Sequence, residues 1–206
     1  MTDPATKTEA FWNRMAKGYA KRPIADEKAY AITLERTAAY LGPDARVLEA
    51  GAGTGTTARR LAPHAREILA TDISGALLEI AQERIEADGL TNIALARHSL
   101  DDLPEGPFDA VICFNVLHLA PDPAAAVAAL AARVRPGGHL ITKTPCIAGR
   151  WPLRLLIGAM RLIGMAPMVQ YFSETQVEEM HERPGLSIVE TGSYPARSRF
   201  VVARKG

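Results

Sequence analysis

The chain has 206 residues, 48% of them apolar and 23% charged, with a formal net charge of +1. That suffices for one domain over residues 1–206 with a sizeable core, and it excludes a nucleic-acid protein that works through whole-molecule charge. Two cysteines, Cys113 and Cys146, lack metal-ligand spacing and point to a reducing, cytoplasmic compartment. No run approaches the ~18 to 20 apolar residues that span a bilayer, and the N-terminal stretch M-T-D-P-A-T-K-T-E-A carries no apolar segment of a secretory signal.

Residues 6–19 read as a helix, with Phe11, Met15 and Tyr19 on one face. Pro23 interrupts the pattern. Asp26 is placed to cap a second helix over residues 27–40, with Tyr30, Leu34, Thr37 and Ala38 along a face. Both precede the first strand, so residues 1–41 form a helical cover. Next comes V-L-E-A-G-A-G-T-G, residues 47–55. Val47 and Leu48 read as the end of a buried parallel strand. Gly51, Ala52 and Gly53 open a loop where a ligand can approach the backbone closely, and a helix follows over residues 54–61. The spacing is G-x-G-x-G rather than the G-x-G-x-x-G of dinucleotide folds. Glu49 puts a carboxylate where a pyrophosphate would otherwise rest, which suits a positively charged ligand without phosphate.

A second strand over residues 67–71 ends at Asp72, 21 residues beyond Gly51. That is the offset of a ribose-binding acid; a helix N-cap is the other role open to it. A helix over residues 74–88 has a stripe of Leu77, Leu78, Ile80, Ala81, Arg84 and Ile85. Strand three spans residues 93–97. Strand four, residues 108–114, holds Cys113 as a small buried hydrophobe. Asn115 and His118 follow at the carboxyl end of strand four, where open α/β sheets bind ligands. Asn115 reads as a cofactor-side contact and His118 as a substrate-side one, or as a histidine bonded to backbone at a helix start. Residues 124–133 form an Ala-rich helix and residues 139–144 strand five. Residues 173–182 carry the near capping box S-E-T-Q. Residues 186–191 and 200–203 read as two final strands.

These landmarks resemble the class I S-adenosylmethionine (SAM) dependent methyltransferases. Residues 47–55 look like that family's motif I, E/D-x-G-x-G-x-G. Residues 68–74 resemble its second strand and acid, residues 108–112 its fourth strand, and residues 135–140 its turn into the fifth. The wording, down to Asn115-Val116-Leu117-His118, is similar to the small-molecule branch that includes ubiquinone- and menaquinone-biosynthesis type methyltransferases. The resemblance implies an α/β, Rossmann-like sheet of seven strands in the order 3-2-1-4-5-7-6, the last antiparallel, with helices on both faces. It implies SAM as cofactor, S-adenosylhomocysteine (SAH) as product and a small-molecule acceptor. Tyr19, with Arg22 behind it, then belongs to a lid over the cofactor, packing of Tyr19 on the sheet being the alternative. Ile73 adjoins the ribose acid. Ser99 and Leu100 occupy the adenine-contacting position, where the family form is G-D-A-x-x-L-P. Ser99 is a weaker acceptor than the usual Asp; Asp101 could serve if the loop shifts, but Asp101-Asp102 reads first as a solvated acidic turn.

Residues 146–171 lie outside the family's common core and form an insertion placed to cover the acceptor. Within residues 146–171, Arg150, Arg154 and Arg161 share a sector of about 40°, and apolar residues fill most of the remaining arc of 151–168. An acceptor lid with Met160, Met165 and Met168, a peripheral membrane contact, plain core packing and a dimer contact all fit this pattern. No metal-ligand set stands out, and His118 is the best-placed base if one is needed. The rival functions are an NAD-dependent oxidoreductase, opposed by Glu49 and the glycine spacing, and a non-catalytic SAM-binding or membrane-surface module. Either a monomer or a homodimer suits the chain.

Overall fold

A computed structural model describes residues 4–206; residues 1–3 of the N-terminal stretch read above lie outside them. Seven strands form one sheet in the order β3-β2-β1-β4-β5-β7-β6. These are β1 (Arg46–Ala50), β2 (Glu67–Asp72), β3 (Ile93–Arg97), β4 (Phe108–Phe114), β5 (Val134–Pro145), β6 (Leu186–Ser193) and β7 (Ser198–Lys205). β1 to β5 pair in parallel, and β7 runs antiparallel to both neighbours, β5 and β6. Parallel neighbours require crossovers. The connections carry α3 (Thr56–Leu61), α4 (Gly75–Ala87) and α5 (Pro123–Arg133). Successive side chains point to opposite faces. Thus Val47 and Ile112 join one apolar layer while Leu48 and Val111 join the other, and all four are fully buried. Burial of each is worth about 1.5–3 kcal/mol.

The N-terminal helices α1 (Pro4–Ala20) and α2 (Glu27–Ala38) cover different elements. Asn13 ties α1 to the start of α4, its Oδ1 accepting from Ser74 Oγ at 2.7 Å and from the Ala76 amide at 3.2 Å. Asp26 caps α2 by accepting from the Ala29 amide. Ala29, Tyr30, Thr33 and Thr37 form the buried face of α2. Helix α7 (Glu174–Glu179) starts at Ser173 with a complete capping box closed by Gln176.

Several boundaries differ from the sequence reading. Helix α3 begins at Thr56, because Gly55 takes φ 71° and stands as its N-cap. Strand β5 starts at Val134, ahead of the bulge at the Gly137-Gly138 turn. Asp72 does not cap α4; Ser74 does, accepting from the Leu77 amide. Ile80 and Arg84 are only half-buried, so the stripe of α4 is Leu77, Leu78, Ala81 and Ile85. Helix α6 (Trp151–Leu162) ends before residues 163–168 and has no buried residue. Leu155 is 65% and Leu162 90% exposed. Plain core packing is therefore not what this segment does. No helix among the described residues is long and apolar enough to cross a membrane.

Candidate functional site

The carboxyl ends of the parallel strands open into a cavity of about 1380 Å³. Pockets for one small ligand span roughly 300–1,000 Å³, so there is room for a cofactor and a second molecule. Its floor is the loop after β1. The Gly51 and Ala52 amides both donate to the Thr71 carbonyl, at 2.7 and 2.8 Å, which bends the chain back across the end of β2. Gly51 has φ 76°, and a Cβ there would lie 2.2 Å from Val116 Cγ2. Its lack of a side chain makes room for Val116, and Gly51 lines the cavity as well. Gly53, at φ 56°, differs: a Cβ there would meet only Tyr19, at 3.7 Å, within the cavity. The Ala52 side chain packs into the core and does not line the cavity.

Two buried carboxylates face this half. Asp72 Oδ2 accepts from the Gly53 amide and Oδ1 from the Ser74 amide, both at 2.9 Å. Each oxygen keeps a lone pair for a hydroxyl donor. Burial raises the Asp72 pKa, against the pull of those amides. Glu49 is 3% exposed, and its Oε2 is buried without a hydrogen-bond partner. Burial pushes its pKa up to about 8, with the Ala58 amide and the Thr57 hydroxyl drawing it down in part and Asp72 adding to the rise. An orphaned carboxylate oxygen at a cavity wall fits a cationic ligand.

Tyr19 stands over Gly53, edge-on to Trp12 at 5.8 Å between ring centroids. Arg84 braces this cover, donating to Thr54 Oγ1 at 2.9 Å and to the Ala20 carbonyl at 2.8 Å. Arg22, Ile73, Ser99 and Leu100 line the same half. Asp101 lines it as well, and its amide donates to Ser99 Oγ at 3.3 Å.

Across the cavity, the ends of β4 and β5 supply Asn115 and Lys143. Asn115 sits at φ 58°, its amide donating to the Lys143 carbonyl at 2.7 Å. His118 does not line the cavity. It lies in the 3-10 turn Leu117–Leu119 with its Nδ1 buried and unpartnered, and burial takes its pKa down to about 4. Arg161, Gly164, Ala166, Pro167 and Met168 close this side; Met160 and Met165 do not reach it. Sequence reasoning missed Lys143 altogether, since a lysine inside an apolar strand carries no motif. It also missed Asn13 and Arg84 as braces. The signal available for Lys143 was its place near the carboxyl end of strand five.

An open sheet of this order, a glycine loop after its first strand, an acid closing its second and a carboxylate beneath the loop define a class I SAM-dependent methyltransferase. A sequence profile described as a methyltransferase domain matches residues 22–191, and the chain belongs to that family. It is 31% identical over 187 residues to a ubiquinone biosynthesis O-methyltransferase of Alkalilimnicola ehrlichii, covering 81% of this chain and 74% of that one. It is 40% identical over 141 residues to an uncharacterized protein of Synechococcus sp., covering 66% of this chain and 33% of that one. A methyltransferase of Claviceps purpurea is 33% identical over 132 residues, covering 64% and 40%. The chain thus spans less than half the length of the latter two. Among solved structures, magnesium protoporphyrin IX methyltransferase from Synechocystis PCC 6803 with bound SAH superposes with a TM-score of 0.74 at 22% identity, covering 98% of this chain and 99% of that one. The DhpI–SAH complex gives 0.78 at 21%, covering 98% and 97%. SAM is accordingly the cofactor, and the dinucleotide rival falls with the family match.

Proposed function

We propose that the chain moves the methyl group of SAM to a hydroxyl of a small apolar, lipid- or quinone-like acceptor. The observation that carries this reading is the single cavity running from Gly53 and Asp72 to Asn115, Lys143 and Met168. The name of the Alkalilimnicola relative supports oxygen as the methylated atom. When bound, SAM supplies a methyl carbon already activated by a sulfonium. The remaining work is done by the chain. Asp72 accepts from ribose hydroxyls, Glu49 balances the cofactor's positive charge, and Ser99 with Leu100 borders the adenine. Tyr19 and Trp12 close the cofactor half against water. Holding donor and acceptor in line can lower the barrier by ~7 to 11 kcal/mol.

The exposed apolar side chains Trp151, Leu155, Leu156 and Leu162, with Arg154 and Arg161 on the same helix, support uptake of the acceptor from a lipid surface. Free, buried Cys113 and Cys146 support a cytoplasmic setting. The test is a methyl-transfer screen with hydroxylated aromatics bearing short and long apolar tails, read as SAH formed. Turnover should favour the tailed phenols. A protein that binds SAM by calorimetry and forms SAH with none of them would refute the hydroxyl-acceptor reading.

A further inference from the structure

Lys143 is the one lysine among the described residues that is buried, 5% exposed near the end of the hydrophobic strand β5. Its Nζ lies 5.2 Å from the ring centroid of Tyr30 and 5.5 Å from that of Phe114. No carboxylate pairs with it and no hydrogen bond reaches it among the described residues. A buried ammonium without a partner is costly, and burial alone lowers this amine from its ordinary value to about 8.

The surroundings explain how it is held. β4 sets Phe114 beside it in register and β7 sets Phe200 opposite; neither titrates. From α2 comes Tyr30, whose hydroxyl is bonded to Thr57 Oγ1 at 2.8 Å and whose pKa burial pushes up to about 12. Arg60 also lies over the Tyr30 ring, at 5.0 Å. Glu49 is the acid of this cavity nearest in strand order, and it does not pair with Nζ. Lys143 thus lines the cavity with its amine between two rings that also line it and with no carboxylate partner among the described residues. It stands on the β4–β5 side, across the β1–β4 boundary from the Gly53 and Asp72 side.

We propose that Lys143 is a catalytic residue of the acceptor site, the group that takes the proton of the acceptor hydroxyl during methyl transfer. The inference rests on the hydroxyl-acceptor reading above. The O–H bond breaks and the proton bonds to the Nζ lone pair. The oxygen bonds the methyl carbon as that carbon's bond to sulfur breaks, leaving a neutral thioether and an ammonium on Lys143. Positive charge moves from sulfonium to lysine, and nothing else is consumed. The two ring faces hold the amine in place before the transfer and attract the ammonium after it.

The experiment compares the parent with Lys143→Met, which keeps the apolar stem and removes the lone pair. The acceptor probes are phenols of graded acidity, from 4-methoxyphenol to 4-nitrophenol, the latter ionised at pH 8. General-base catalysis contributes about 10²–10⁴-fold. The variant should lose a factor in that range on 4-methoxyphenol and far less on 4-nitrophenol, while SAH affinity by calorimetry stays unchanged. Separately, acetylation rates of individual lysines against pH, read by mass spectrometry, should place the Lys143 midpoint near 8 and move it upward when SAH and 4-nitrophenolate are both present. An equal loss on every phenol, or a midpoint at the value of the surface lysines, would overturn the assignment. A parent that binds SAH yet methylates no phenol would defeat the hydroxyl-acceptor reading itself, an outcome distinct from either.

Discussion

Binding of SAM at pH 7 should expel a proton from Glu49. The carboxyl is held by burial at a pKa of about 8, so in the free protein about 90% of it is protonated at that pH. Positive charge within ~4–6 Å lowers a carboxyl by 1–3 units, and SAM brings an ammonium and a sulfonium. A drop of about 3 units leaves Glu49 near 5 and ionised, releasing about 0.9 proton. The α-amino group of SAM, with an ordinary value near 7.7–8.0, takes up about 0.1. The net release is about 0.8 proton per SAM. Titration calorimetry at pH 7 in phosphate and in Tris reads it directly, because a released proton is taken up by the buffer and subtracts the buffer's ionisation enthalpy from the observed heat. Glu49→Gln should abolish the release and leave only the small uptake. Ionising Glu49 one unit below its pKa costs about 1.4 kcal/mol, so SAM affinity should rise by up to about tenfold per pH unit between about pH 5 and 7 and stop rising near 8. Equal binding enthalpies in the two buffers would refute the argument, since the carboxyl would then hold the same charge with and without ligand.

Asp72→Ala should weaken SAM binding by about 1.5–3 kcal/mol, the range for hydrogen bonds to a charged group, and also free the Gly53 amide it now holds; calorimetry measures it. Gly51→Ala should destabilise the fold by about 1–3 kcal/mol, through overpacking against Val116 at φ 76°, and Val116→Ala should recover part of that in chemical denaturation. Lys143→Met should be more stable than the parent at pH 7, with the gap closing by pH 10.5. The sign follows from the lowered pKa: between about 8 and 10.5 the unfolded chain binds more protons, so the parent gains stability as pH rises through that window, while the variant lacks this term. Melting curves at the two pH values test it. Leu155→Ser with Leu156→Ser should leave the melting temperature within a degree or two, since both side chains are exposed, and should lower turnover of long-tailed phenols offered in vesicles.

The strand framework was legible because parallel strands buried on both faces read as short apolar runs between glycines and acids. β3 and β4 begin and end at the residues the sequence suggested. The meeting of Gly53 and Asp72 at one cavity was legible for the same reason: Asp72 closes β2 and Gly53 lies in the loop after β1, where spacing carries meaning. What the sequence hid is three-dimensional. Lys143 looks like a solvent-facing strand residue until Tyr30, 113 positions earlier, is seen beneath it. His118 sits in a promising tetrapeptide, yet the turn Leu117–Leu119 leaves it outside the cavity. The apolar arc of α6 has the composition of a buried helix, and periodicity cannot tell which side of a helix, if any, finds a partner.

That helix is suspended between two anchors. Ahead of it the Ala148 amide donates to the Phe172 carbonyl. Behind it Gln170 donates through its amide to the His118 carbonyl and through its side chain to the Ala120 and Pro121 carbonyls. Arg14, bonded to the Gly164 carbonyl at 2.7 Å, ties the intervening stretch to α1. With no buried side chain in α6, its detachment exposes almost no core. Its amides should therefore exchange with deuterium long before those of β4 or β5, and a protease nick there should leave the two fragments associated around an intact sheet. A different segment strung between the same anchors would replace the Arg161 to Met168 wall of the cavity while leaving its Gly53 and Asp72 side as it is.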